Sequence, residues 1–168
     1  WQRLVEVAYK CALASSQVVF FQNSDDRELF ISKKLVNPRQ PRIVGGSGVD
    51  VEEFPLKPLP ETKKAGDPVR FLMVARMLID KGVYEFINAA RMVLRKKRNV
   101  MFLLVGPLDE TNPGSVSKKI IDAAVRDKII ENMPFQDDLL PLLVGCDCFV
   151  LPSYREGLPR AVLEAAAV

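Results

Sequence analysis

The run Val100-Met101-Phe102-Leu103-Leu104-Val105, stopped by Gly106, constrains this chain more than any other stretch. Six consecutive apolar residues cannot face a core on one side and water on the other. The segment therefore reads as a strand covered on both faces, which in soluble proteins means the interior of a parallel sheet flanked by helices. Its neighbours follow the same rhythm. Val69 to Ala75 reads as a strand, and Val83, Phe86, Ile87, Ala90, Val93 and Leu94 recur at helical spacing. Ser117 to Arg126 predicts a further helix, and Ile129-Ile130 the start of a short strand. Leu139 to Val144 predicts a short helix, Cys148 to Leu151 a last strand, and Pro159 the first turn of a terminal helix. Alternating strands and helices with right-handed crossovers predict an α/β fold: an open, Rossmann-like, doubly wound parallel sheet, which takes ligands beyond the carboxyl ends of its strands.

The first quarter has a different organisation. Residues 1–16 place Leu4, Val5, Val7, Ala8, Cys11 and Ala12 at helical spacing, and Val18 to Phe21 is a short buried strand. Gln22-Asn23-Ser24 makes a turn, with Ser24 as the expected cap of a helix whose first turn holds Asp25 and Asp26. Residues 37–68 then hold half of the chain's twelve prolines. Such a stretch inside a compact domain points to a boundary. The expected division is a helix–strand–helix segment over 1–40, a linker over 41–68 and a Rossmann-like domain over 69–168. Neither end carries a helix cap, so the chain is expected to be a piece of something longer.

Composition removes several chemistries. There is no histidine, which excludes Ser-His-Asp and Cys-His catalysis and His-ligated metals. Proton transfer must use carboxylates, lysine, tyrosine, the substrate or a group outside this segment. Three cysteines are too few for a disulfide framework, and Cys146 and Cys148 are expected to be buried structural thiols rather than metal ligands. A reducing, cytoplasmic compartment is the default expectation. A net charge of +3 gives no argument for nucleic acid. The basic run Arg95-Lys96-Lys97-Arg98 closes a helix, where cations complement the helix dipole; the alternative is contact with an anionic surface, such as a membrane holding a lipid-linked acceptor. No apolar stretch is long enough to span a bilayer, and the first residues do not resemble a signal peptide.

Two loops at the predicted carboxyl edge carry candidate chemistry. Arg76 and Lys81 lie five apart on the loop after the first strand of the sheet, and Gly82 follows. A guanidinium and an ammonium at that spacing can converge on one diphosphate, although loop cations are commonly just solvated. Ser153 to Pro159 leads into a helix whose free amides could receive a phosphate. Pro159 has no amide, so Gly157, Leu158 and Arg160 must supply the donors. Glu164, about 7.5 Å further along the helix axis, is placed to grip ribose hydroxyls, and Glu156 to face the other end of the diphosphate. The competing view is that Glu164 merely pairs with Arg160 on the helix surface.

The two glutamates, eight positions apart in a Pro-Ser-x-x-Glu-Gly frame, resemble the E-x7-E element of retaining glycosyltransferases of family 4. Gly48-Val49-Asp50 with Phe54 resembles that family's G-V-D-x-x-x-F, and Arg76 with Lys81-Gly82 its R-x4-K-G. Phe102 to Pro107 is similar to its strand end, and Asp137-Asp138 through Pro152-Ser153 to the approach to its donor site. The likeness covers nearly the whole chain and looks most like bacterial enzymes of cell-surface polysaccharide or lipid-linked oligosaccharide synthesis.

The resemblance implies the GT-B arrangement of two Rossmann-like domains, acceptor on the first and nucleotide-sugar on the second. Residues 1–40 would then be a remnant of the acceptor domain, and 69–168 a truncated donor domain. No metal or other cofactor is implied, because cations and a helix N-terminus neutralise the leaving diphosphate. Arg76 and Lys81 would stabilise that group, Gly157 and Leu158 would offer amides, and Glu164 would hold the ribose. Glu156 would contact donor-sugar hydroxyls and serve the oxocarbenium-like transition state, with Ser153 on the same loop. Pro134 and Phe135 lie where the family holds the base, although Pro134 replaces its common glycine. The implied donor is a UDP-sugar carrying a hexosyl or N-acetylhexosaminyl group, and the acceptor a saccharide or lipid-linked saccharide. The parent would work in the cytoplasm or at the inner face of the membrane. The fragment is expected to bind nucleotide weakly, to transfer nothing alone and to self-associate through bared apolar surface. The competing classes are a non-catalytic nucleotide-binding module and another doubly wound regulator. The latter lacks both G-x-x-x-x-G-K-S/T and G-x-G-x-x-G.

Overall fold

A computed structural model of the chain describes residues 1–54 and 66–168; the central part of the expected linker lies outside the described residues. The chain divides into two compact units, one formed by 1–48 with 156–160, the other by 49–155 with 161–168.

The first unit contains helix α1 (Gln2–Leu13), strand β1 (Val19–Phe21), helix α2 (Ser24–Ser32) and strand β2 (Pro41–Ile43). β1 and β2 pair in parallel, Val19 opposite Pro41 and Phe21 opposite Ile43. β2 falls inside the stretch expected to be linker. Its proline is tolerated because it opens the strand, where no ladder donor is required of it. Phe21, Leu35 and Val36 are buried, and Phe30 meets Phe21 and Tyr9 edge to face at 5.2 and 5.3 Å. The cap of α2 is Asn23, not Ser24. Asn23 has extended backbone angles and its side chain accepts from the Asp26 amide, whereas Ser24 is already helical.

The second unit is a parallel sheet of four strands among the described residues, in the order β5-β4-β3-β6. They are β3 (Val69–Val74), β4 (Val100–Val105), β5 (Glu131–Met133) and β6 (Cys148–Phe149). Between them run α3 (Val83–Leu94), α4 (Lys118–Arg126) and α5 (Leu140–Gly145), and α6 (Arg160–Ala167) comes last. Side-chain alternation along the strands builds two cores. Met73, Phe102 and Leu104 pack with Phe86, Ile87 and Ala90 of α3 and with Ile121 and Ala124 of α4. Leu72 and Val105 point the other way, toward Leu143 of α5, with Leu103 and the α6 residue Ala165 beside them. Helices thus cover both faces, and the uninterrupted apolar run of β4 serves both cores.

Two local expectations give way. Ile129 and Ile130 do not begin a strand. Their amides bond back to the Ala124 carbonyl after Lys128 turns left-handed at φ 56°, and β5 starts only at Glu131. Cys146 and Cys148 are not buried: Cys146 is half-buried and Cys148 exposed, since β6 is the edge strand of the described sheet. Partial burial still pushes the Cys146 thiol above its ordinary pKa, with Asp147 adding to the effect.

Phe86 is fully enclosed and meets Phe102 edge to face at 5.7 Å. Phe86→Ala should therefore lower stability by about 3–5 kcal/mol in urea denaturation; a loss below about 1 kcal/mol would contradict the packing described.

Candidate functional site

Strand order places the site. The chain steps from β3 to β4 to β5 in one direction and then returns to the other side of β3 for β6. The carboxyl ends of β3 and β6 therefore flank the point where the winding reverses, the usual ligand crevice of such sheets. The loops leaving those two strands are the two that carry the sequence motifs.

The loop after β3 is held along its length. The Met77 amide donates to Pro107 O at 3.0 Å, and Val116 N returns a bond to Met77 O at 2.9 Å. Met77 itself is buried, while Arg76 before it is exposed at the strand end. Ile79–Lys81 form one 3-10 turn that Gly82 closes at φ 77° and ψ 27°. A left-handed residue there favours glycine, and a Cβ would also collide with the carbonyl of Pro152. Lys81, half-buried, is thus set beside the exit of β6 by backbone packing. Gly106 plays the same part between β4 and β3, where a Cβ would strike the Ala75 carbonyl.

The loop after β6 locks onto the first. The Tyr154 amide donates to Asp80 O at 3.0 Å, and the Tyr154 hydroxyl donates to Glu85 Oε1 of α3 at 2.5 Å. That hydrogen bond raises the Tyr154 pKa, aided by the charge of Glu85. Ser153, between Pro152 and Tyr154, has a buried hydroxyl oxygen without a hydrogen-bond partner among the described residues. Such orphans are uncommon, because an unpaired buried hydroxyl costs about 1–3 kcal/mol.

On α6, Glu164 is only 7% exposed, the one charged residue among the buried described ones. A carboxylate so enclosed is not an ordinary solvated member of a helix-surface pair. Glu156, Gly157 and Leu158 group with the first unit. There the Asn23 side-chain amide donates to the Glu156 and Gly157 carbonyls at 3.2 and 3.3 Å, and Leu158 packs over Gly46. Pro134 and Phe135 are exposed just after β5, with β4 and β3 between them and β6. At about 4.8 Å per strand spacing, that loop stands roughly 10 Å from the one after β3.

Comparison with known proteins matches residues 58–168 to the family of glycosyl transferases group 1. The chain belongs to this family. An N,N'-diacetylbacillosaminyl-diphospho-undecaprenol alpha-1,3-N-acetylgalactosaminyltransferase of Campylobacter jejuni is 45% identical over 96 residues, 57% of this chain and 23% of that protein. A UDP-Gal:alpha-D-GlcNAc-diphosphoundecaprenol alpha-1,3-galactosyltransferase of Escherichia coli is 26% identical over 181 residues, 98% of this chain and 45% of that protein. The crystal structure of Anabaena Alr3699/HepE in complex with UDP and glucose superposes with a TM-score of 0.76 at 17% identity, covering 99% of this chain and 46% of that one. That structural likeness establishes the Rossmann-like GT-B fold. The chain spans less than half the length of each of these proteins.

In this group 1 glycosyltransferase chain, Asn23 and Tyr154 are anchors that sequence reasoning missed. Tyr154 sat in plain view inside the motif loop, but nothing in its spacing announces Glu85, 69 positions away. Asn23 had a detectable signal as the residue before Ser-Asp-Asp, yet a serine beside it competes for the same capping role. The junction of Gly82 with Pro152 yields a direct expectation. Gly82→Ala should cost more than about 1 kcal/mol from the left-handed backbone alone, read as a lower urea midpoint; an unchanged midpoint would contradict the close approach.

Proposed function

We propose that the chain is the donor-binding portion of a retaining glycosyltransferase. The parent moves a hexosyl or N-acetylhexosaminyl group from a UDP-sugar to a saccharide or lipid-linked acceptor in surface polysaccharide synthesis. Residues 1–40 belong to the acceptor domain, 41–68 to the linker and 69–168 to the donor domain. The observation that carries this is the meeting of Lys81-Gly82 with Pro152 to Tyr154 at the reversal point of the sheet. Membership of the family and the UDP and glucose bound by the Anabaena protein support it.

In this scheme the bond from the sugar's anomeric carbon to the diphosphate lengthens first, and negative charge builds on the departing diphosphate. Arg76 and Lys81 neutralise it, the first by a bidentate grip and the second as a point charge. The amides of Gly157 and Leu158 add donors. The Ser153 hydroxyl, otherwise unsatisfied, gains a partner in the ligand. Glu164, buried on α6, accepts from the ribose hydroxyls. Glu156 binds hydroxyls of the sugar, whose ring gains positive character as the bond breaks. The base rests by Pro134 and Phe135, two strands from the diphosphate. No helix among the described residues is long and apolar enough to cross a membrane. Access of the parent to a lipid-linked acceptor is assigned to peripheral contact at the inner face of the membrane.

Calorimetric titration of the chain with UDP tests the assignment. UDP should bind, and Lys81→Ala should weaken it about tenfold or more through loss of a charge-assisted contact. Glu164→Gln should weaken UDP but leave inorganic diphosphate unaffected. No UDP binding, or wild-type affinity in Lys81→Ala, would remove the donor site from these residues.

A further inference from the structure

Tyr154 is 68% exposed, so burial does not hold its ring in place. Two hydrogen bonds to separate points of the neighbouring segment do. The amide donates to Asp80 O at 3.0 Å, and the hydroxyl donates to Glu85 Oε1 at 2.5 Å. Asp80 precedes Lys81-Gly82 in the chain and Glu85 follows it. One residue of the loop after β6 therefore brackets the lysine of the loop after β3. All of these residues lie in the second unit.

The anchor that the hydroxyl reaches is rigid. Glu85 stands in the first turn of α3, between Val83 and Phe86, which are both fully enclosed. The loop after β6 is tied at its start as well, where Val150 N donates to Leu72 O at 2.8 Å. The stretch from Val150 to Tyr154 is thus fixed at both ends, with Pro152 pressed against Gly82. Between Pro152 and Tyr154 lies Ser153, whose buried hydroxyl has no partner among the described residues. A shift of Tyr154 would move the backbone that carries this hydroxyl and the backbone that abuts Lys81-Gly82.

An O–H···O⁻ bond of this length is charge-assisted and stronger than one between neutral groups. Solvent around an exposed pair lowers what it adds to global stability. What the bond fixes is local, the register of one loop against the other. A looseness of about 1 Å in such a supporting contact is enough to weaken a preorganised site.

We propose that Tyr154 and Glu85 are paired positioning residues that hold Lys81 and Ser153 in register for the diphosphate of the nucleotide-sugar, which rests on the donor-site assignment above. Neither side chain touches the ligand; both act through the backbone of the two loops.

Substitutions at Glu85 separate the acceptor from the charge. Glu85→Gln and Glu85→Ala both remove the negative charge, but only glutamine keeps an oxygen for the Tyr154 hydroxyl. Affinities for UDP by calorimetry and for uridine by ligand-observed NMR would be compared, alongside urea midpoints. Tyr154→Phe should weaken UDP about fivefold, and Glu85→Ala should bind it about fivefold less tightly than Glu85→Gln. Adding Tyr154→Phe to Glu85→Ala should weaken UDP no further, because the two residues act as a unit. Uridine should bind every variant alike, and urea midpoints should stay near wild type. UDP affinity unchanged in Tyr154→Phe, or equal in Glu85→Gln and Glu85→Ala, would overturn the proposal while leaving the donor site intact. Parallel loss of UDP and uridine would also overturn it, reducing the pair to a structural tie. Failure of the wild type to bind UDP would instead bring down the donor-site assignment, and this proposal with it.

Discussion

β3 is the element on which the second unit depends, because it must be satisfied on four sides at once. Its two edges pair with β4 and β6, and its two faces feed separate cores through Met73 and Leu72. A strand in that position leaves its backbone no contact with water except at its ends. The chain that leaves its carboxyl end has to turn sharply under the neighbouring strands. Gly82 and Gly106 are the consequence. Both hold positive φ where another strand's exit comes too close for a side chain. The crowding that packs the sheet is therefore the crowding that brings the motif loops together.

From that crowding follows a pair of loops already joined to each other. Backbone hydrogen bonds and Tyr154 fix the two loops to each other, so a bound anion would not have to order them. The features left unbalanced by the fold are those a nucleotide would balance: an exposed arginine at a strand end and a buried Ser153 hydroxyl without a partner among the described residues. Departures from internal consistency tend to gather at functional positions in this way. The proposed donor site relies on charge neutralisation by Arg76 and Lys81.

Much of this was legible beforehand, for identifiable reasons. The period of apolar residues marks β3, α3, β4 and α4 because each buries a face long enough to repeat its pattern. Short elements were read less well. β5 starts two residues later than its apolar pattern predicts because Ile129 and Ile130, apolar and β-branched, are the turn that closes α4 onto the core. Ser24 and Asn23 suit the α2 cap equally by sequence, and Asn23 is the one that holds the extended backbone. The burial expected for Cys146 and Cys148 failed because a local apolar run does not say whether its strand lies at an edge.

The sequence by itself determined the fold class, the family and the two loops worth examining, since periodicity and motif spacing are local properties carried by neighbouring residues. Only the tertiary structure decided which local features meet. The reversal of strand order put the loops after β3 and β6 side by side, and Asn23 reached the carbonyls of Glu156 and Gly157 across more than 130 positions. The burial of Glu164 was also a tertiary outcome, because exposure depends on what packs against a helix and not on the spacing along it.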